Sequence, residues 1–418
     1  MAEVMRPETV DQVIEAVRWA LSERAPLAVR GAGTKEAFGR PVQAEHALST
    51  AALSGIRLHE PEELVLAAGS GTPVAEVEAA LAAKGQMLAF EPPDLGPLWG
   101  ALPAAGTLGG LVAGNLSGPR RLRAGAARDH LLGLEAVNGR GELFKTGGRV
   151  VKNVTGYDLC KVMTGAWGTL GVMGALTFKV LPAPEVARTL VIAGLDAAGA
   201  LAAMTRALNG PYEVSGAAWL PADLAARTPA GEAAGRGASA TLLRLEGFRA
   251  SVEARTETLE AILAETGTPP TGRLDGEASA AVWQAVRDAA PFRPAEGVEP
   301  DAAPAVWRLS VPPTAGPEVA ARLEAEAGAE VFLDWGGGLV WAAVPAGRDD
   351  AGAAKVRAIV AETAKSGHAT LIRAPAPVRA AVPVFQPQPD PLAALSRRVK
   401  QSFDPEGVLN PGRMVAGV

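Results

Sequence analysis

The sequence is poor in groups that bind metals or form crosslinks. Its 418 residues contain one cysteine, Cys160, and four histidines, His46, His59, His130 and His368. One thiol excludes an internal disulfide, and it cannot hold an iron–sulfur cluster, which takes about four thiolates. No two histidines stand at HxxH or HxxxH spacing, so no metal site is expected. Charged residues make up 20% of the chain and the net charge is −5. RRLR at 120–123 is the one short basic cluster, and without a basic stripe nucleic acid is excluded as a partner. The N-terminus, MAEVMRPETVDQVIEAV, lacks a signal-peptide core, and no run of eighteen apolar residues occurs. A cytoplasmic protein without a transmembrane segment is expected. The GxxxxGK[ST] and GxGxxG phosphate motifs are also missing.

Glycine is abundant, and its placement is informative. Gly106, Gly109, Gly110, Gly114 and Gly118 fall within thirteen residues, interleaved with Thr107, Asn115 and Ser117. Glycine so dense costs backbone entropy and is kept where main chain approaches something closely. Amides freed in this way converge on an anion, most often a phosphate. A second turn, Arg30-Gly31-Ala32-Gly33-Thr34-Lys35, follows the apolar run 26–30, and a third, GAWGTLG, spans 165–171. A large phosphate-bearing cofactor is the expectation.

Apolar residues at 10, 13, 14, 17 and 21 predict a helix over 7–21, and a second is predicted over 74–84, stopped by Gly85. Strands are expected at 26–30, 63–68, 132–137 and 172–180, and Asn138-Gly139 reads as a hairpin turn into 143–145. Beyond about residue 185, apolar runs at 189–192, 240–245, 306–311, 330–333 and 339–343 alternate with Ala-rich helical segments. This mixture predicts an α+β domain with an antiparallel sheet. Stretches 228–238 and 291–304 read as loops, 374–391 as a Pro-rich linker, and 391–403 as a last helix. No internal repeat is visible.

The three glycine turns and the tail, in this order, resemble the vanillyl-alcohol-oxidase family of flavoproteins, whose FAD domain is called PCMH-type. RGAGT at 30–34 is similar to the first pyrophosphate loop, and GTLGGLVAGNLSG at 106–118 to the central FAD loop. TGYDL at 155–159 and GTLGV at 168–172 resemble the adenine-side segment. DPEGVLNPGR at 404–413 resembles the closing motif of the branch that oxidises α-hydroxy acids. Within the family the likeness is greatest to the smaller FAD-binding subunits of bacterial glycolate oxidases, on KNVTGYDLCKVMTGAWGTLG and GHATLIRAP.

The resemblance implies an α+β protein. A PCMH-type FAD-binding domain of two subdomains would span 1–182, an α+β cap 183–380, and a C-terminal segment returning to the FAD domain 381–418. It implies that FAD is held by Arg30, Gly31, Ala32, Gly33, Thr34 and Lys35 of the first turn. Pro103, Gly106, Thr107, Gly109, Gly110, Ala113, Asn115, Ser117 and Gly118 would contribute from the central loop. Arg128, Gly168, Gly171, Val172 and Asn410 complete the set, with Asn115 and Asn410 offered to the flavin edge. Trp167 is expected in the core.

Some relatives tether FAD through a histidine near the first loop, but RGAGTKEAFGR contains none, so non-covalent FAD is expected. Catalytic relatives carry an HxGDGNxH-type metal motif in the cap, which this chain lacks. Oxidising a 2-hydroxy acid needs a base for the hydroxyl proton and a cation for the carboxylate. His368 and Arg373 are the candidates for those roles. His130 reads as structural and Cys160 as a packed small hydrophobe.

Three readings follow. The chain is an FAD-carrying subunit that relays electrons from glycolate-type substrates, or a non-catalytic FAD-bound scaffold of the same complex. The third is a self-contained FAD-dependent alcohol or alditol oxidase. In the first two, the partners are a larger catalytic FAD subunit and an iron–sulfur subunit. The complex would lie in the cytoplasm or at the inner face of the membrane.

Overall fold

The computed structural model describes residues 3–149 and 156–417. It divides into two compact units, one drawn from 1–117, 125–182 and 383–418, the other from 118–124 and 183–382.

The first unit is built on two larger sheets and a two-stranded one, Gln86–Met87 with Leu181–Pro182. Strands Glu3–Met5, His46–Ser49 and Leu27–Arg30 form a parallel three-stranded sheet in that order. The second sheet is five-stranded and antiparallel, in the order Ile56–Glu60, Val65–Gly69, Gly171–Lys179, Leu131–Asn138, Leu143–Gly147. The first helix runs Val10–Glu23 and is capped by Thr9, whose hydroxyl accepts from the Gln12 amide. Its Val13, Val17 and Ala20 pack with Leu27, Leu48, Val137, Val172 and Leu409 in one apolar core. Burying a valine side chain of this kind is worth about 1.5–3 kcal/mol.

The turn after Leu131–Asn138 is longer than Asn138-Gly139 suggests. The Asn138 carboxamide oxygen accepts from the amides of Arg140 and Glu142, closing a four-residue loop, 139–142. Gly139 is needed for another reason: a Cβ there would collide with the Asp404 carboxylate.

The second unit is a single eight-stranded antiparallel sheet. Its order is Gly272–Asp275, Val186–Ala193, Ala240–Gly247, Gly216–Leu220, Glu330–Asp334, Leu339–Val344, Ala305–Ser310, His368–Arg373. The α+β expectation holds, but the sheet contains a repeat that the sequence hides. Each half runs strand, helix, strand, strand, helix, strand, with the fourth strand beside the first and the third between first and second. This is the ferredoxin-like arrangement twice over. The halves join where Trp219 pairs with Leu333.

Segment 118–124 belongs to this second unit rather than to the domain expected over 1–182. The reason is electrostatic. Arg120 donates to both oxygens of the buried Glu246, at 2.6 and 2.9 Å, and Arg123 pairs with Glu213 at 2.9 Å. Burial pulls the Glu246 pKa up, but Arg244 and Arg120 hold it below its ordinary value. Two stretches read as loop or linker carry short helices, Ala230–Ala234 and Ala376–Ala381. Among the described residues no helix is long and apolar enough to cross a membrane.

Candidate cofactor site

A cavity in the first unit gathers residues from all three glycine turns. The first turn supplies Arg30, Gly31, Ala32, Gly33, Thr34 and Lys35; the second Thr107, Gly109, Gly110 and Ala113; the third Trp167, Gly168 and Gly171. The 26–30 strand ends at Arg30, and Gly33 then turns the chain with φ +85°. Among the described residues, the amides of Ala32, Gly33, Thr34 and Lys35 donate to no protein acceptor. Four adjacent unpaired N–H groups make a nest suited to a phosphate.

Lys35 adds charge to this nest. Its Nζ would lie 3.3 Å from a Cβ at Gly106 and 3.7 Å from one at Gly110, so the glycines leave room beside the ammonium. It donates to the Thr34 hydroxyl at 3.4 Å. Burial pushes the Lys35 pKa below its ordinary value, partly offset by Asp94. Ser70 Oγ, also in the wall, is buried without a hydrogen-bond partner. A desolvated cation, a run of unpaired amides and an unpartnered hydroxyl fit a diphosphate. Residues 30–40 contain no histidine for covalent attachment.

The central glycine segment works differently from expectation. Residues Leu108–Gly114 form a short helix, with Thr107 as its N-cap. The amides of Leu108 and Gly109 donate to the carbonyls of Thr72 and Ser70, and the Gly110 amide to Thr107 Oγ1. These amides are therefore spent on protein. A Cβ at Gly109 would lie 2.9 Å from Ser70 O, and one at Gly31 would overlap the Thr107 hydroxyl. The glycines here let three backbone segments converge.

Several expected ligand residues serve as supports. Asn410 is fully buried, and its carboxamide accepts from Val29 N–H at 2.8 Å and donates to Val29 O and Trp167 O at 3.1 and 2.8 Å. Both Nδ2 hydrogens are engaged and Oδ1 already accepts once, so Asn410 ties the first turn to the third. Asn115 caps the short helix in a left-handed conformation and accepts from the Arg128 amide. The Ser117 hydroxyl accepts from the Ala127 amide. Gly118 lies in the second unit, where its carbonyl accepts from Trp335 Nε1 at 3.1 Å. Val172 is core, while Pro103 and Arg128 are exposed and do not line the cavity.

The tail is also scaffolding. The buried Asp404 carboxylate accepts from the amides of Val408 and Leu409 and from Lys400 Nζ, which donates onward to Thr169 O and Leu409 O. Sequence reasoning missed Arg413, which lines the cavity and donates to Lys35 O at 2.7 Å. Its signal in the sequence is its place at the end of DPEGVLNPGR, 404–413. Trp167 is buried as expected, stacked on Phe38 at 4.5 Å, and it also lines the cavity.

The two catalytic candidates are not brought together. The buried Arg373 guanidinium donates to the carbonyls of Phe292 and Pro304, so it holds a loop and offers no clamp. His368 starts the edge strand His368–Arg373 and is exposed. His130 is buried against Phe90, a structural position. Cys160 is buried, and burial, with Asp158, raises its pKa to about 11. The stretch 152–155 of KNVTGYDL lies outside the described residues.

A family model described as an FAD binding domain matches residues 1–147, and one described as the C-terminal domain of FAD linked oxidases matches 387–414. Over 405 residues the chain is 33% identical to glycolate oxidase subunit GlcE of Escherichia coli (strain K12), covering 97% of each chain. The chain belongs to the FAD-linked oxidases. As a member of that family it is an FAD-dependent oxidoreductase, and the cavity described above is suited to the diphosphate of FAD. This FAD-linked oxidase is also 31% identical over 189 residues to glycolate oxidase subunit GlcD of Bacillus subtilis (strain 168), covering 45% of this chain and 38% of GlcD. With a D-lactate dehydrogenase of Archaeoglobus fulgidus it shares 30% identity over 180 residues, 43% of this chain and 38% of that one. Alkyldihydroxyacetonephosphate synthase has the same fold, with a TM-score of 0.70 over 98% of this chain and 75% of that one, at 14% identity.

Proposed function

We propose that this FAD-linked oxidase is the smaller flavin subunit of a glycolate oxidase complex. The reading rests on its end-to-end similarity to subunit GlcE. Its partners would be a larger flavin subunit and an iron–sulfur subunit, in the cytoplasm or at the inner membrane face. Bound FAD supplies a two-electron acceptor for converting a 2-hydroxy acid to a 2-oxo acid. The chain's own part is to hold that cofactor: the 32–35 amides and Lys35 neutralise the diphosphate, with Gly106, Thr107 and Gly110 making room. The tail residues Asn410 and Arg413 fix the turns that do this.

The distribution of polar groups favours a supporting role over an autonomous one. Loss of the hydroxyl proton needs a base and the carboxylate needs a cation, yet Arg373 is committed to backbone carbonyls. Electrons leaving this chain would go to a cluster held elsewhere, since one cysteine cannot ligate one.

The test is dye-linked glycolate oxidation by the chain alone and by the chain co-expressed with its partners. Negligible turnover alone, with full FAD content, and restored turnover in the assembly support the proposal. Robust turnover by the isolated chain would make it an oxidase in its own right. The scaffold reading, favoured by the engaged Arg373, is separated by a Gly33→Val subunit in the assembled complex: retained turnover without flavin in this subunit supports a scaffold.

A further inference from the structure

The first unit carries an open groove of about 610 Å³ that shares the third glycine turn with the cofactor cavity. Trp167, Gly168 and Gly171 line the cavity, whereas Gly165, Ala166, Thr169 and Leu170 line the groove. The tail divides in the same way: Arg413 lines the cavity, and Met414 and Val415 line the groove. Phe385, in the groove wall, packs with its ring centroid 5.8 Å from that of Trp167.

The last helix, Asp390–Phe403, forms one side of this groove with its polarity reversed. A surface helix ordinarily buries an apolar stripe and turns its charges to water. Here the buried side chain is Lys400, held by Asp404, while Leu392 and Leu395 are 48% and 47% exposed. Leu392, Leu395 and Val399 recur at i, i+3 and i+7, which puts them on one face. Leu395 and Val399 line the groove, as do the exposed Val162 and Val415. Exposed apolar residues clustered in this way mark an interaction surface. The charges among them are all positive: Arg40, Arg397 and Lys400 line the groove, and no aspartate or glutamate does. Asp404 neutralises Lys400, but among the described residues Arg397 has no carboxylate partner.

We propose that this groove docks an apolar, acid-bearing segment of a partner subunit, which fills it with apolar side chains and sets a carboxylate against Arg397. Two features select a protein segment. The leucine stripe runs one helical turn beyond the groove, to Leu392, past what a small molecule would cover. An unpaired arginine beside an apolar centre also matches the make-up of protein interfaces. Docking here would set the partner against the same turn that lines the cofactor cavity. This role rests on the reading of the chain as one subunit of a glycolate oxidase complex.

The test exploits the burial of Cys160, which leaves Leu395→Cys as a variant with one accessible thiol. The full, FAD-loaded chain is co-expressed with the larger flavin subunit and the iron–sulfur subunit, and co-elution shows whether an assembly forms. Maleimide labelling at position 395, read by mass spectrometry, should slow about tenfold or more in the assembly relative to the isolated chain. Leu395→Glu should weaken assembly about tenfold or more, and Arg397→Glu about two- to fivefold. The FAD-to-protein ratio of the isolated variants should match the parent, which separates the groove from the flavin cradle. Equal labelling in both states, or full assembly by a folded Leu395→Glu, would overturn the proposal and leave the subunit reading in place. A parent chain that joins neither partner would overturn the subunit reading and this role with it. A dimer of the isolated chain that Leu395→Glu abolishes would assign the groove to a second copy and overturn the proposal as well.

Discussion

Asn410 and Val29 are paired through both polar ends of the Asn410 carboxamide, across 381 residues of sequence. The same amide reaches Trp167 O, and a Cβ at Gly168 would lie 2.7 Å from its Nδ2. One side chain therefore sets the separation of two glycine turns. Asn410→Ala would leave buried groups unpaired, at about 1–3 kcal/mol each. A lower melting temperature and an FAD affinity reduced about tenfold or more are expected. Unchanged flavin affinity in a folded variant would dismiss the clamp.

Replacing Gly33 or Gly110 by valine should empty the cofactor site without unfolding the chain. Gly33 has φ +85°, which a β-branched residue adopts only with strain, and a Gly110 side chain would grow toward Lys35 Nζ. The ratio of flavin to protein absorbance should collapse while far-ultraviolet circular dichroism stays near the parent.

Lys35 predicts a pH dependence with a definite sign. Its pKa is depressed in the cofactor-free chain, mainly by burial, so an arriving diphosphate favours reprotonation. FAD affinity should therefore fall as pH rises through the depressed pKa. The cofactor-free protein should gain stability over the interval between that pKa and the ordinary lysine value, because there the unfolded chain binds more protons. Fluorescence titrations of FAD over the pH range below the ordinary lysine pKa of about 10.4 should show the slope. Lys35→Arg should flatten it; a slope that survives in Lys35→Arg assigns it to another group.

Cys160 should resist thiol reagents. With a pKa near 11 and 1% exposure, it has almost no thiolate at neutral pH and no access. One thiol per chain should appear only on unfolding, and rapid labelling of the native protein would contradict its position.

The glycine turns were legible because density and order alone reveal them. Their division of labour was not. The acceptors for the Leu108 and Gly109 amides are carbonyls of Thr72 and Ser70, on a turn far upstream whose sequence carries no mark of that use. Asn410 reads as a ligand because its type allows it, and only the fold shows its carboxamide bonded to Val29 and Trp167. The doubled ferredoxin-like sheet was invisible for a different reason. Both halves need only apolar strands and amphipathic helices, so topology repeats without any residue having to repeat. Arg308 reads in the sequence as one charge within an apolar run, since Trp335 reaches it from a distant segment.

The Asn410 bridge also orders events during synthesis. The first turn leaves the ribosome long before residues 404–413 exist, and until they arrive the bridge from Val29 to Trp167 is missing. Full affinity for the cofactor would then await the arrival of residues 404–413 in the fold. Products interrupted before that point would draw only weakly on the cell's flavin supply.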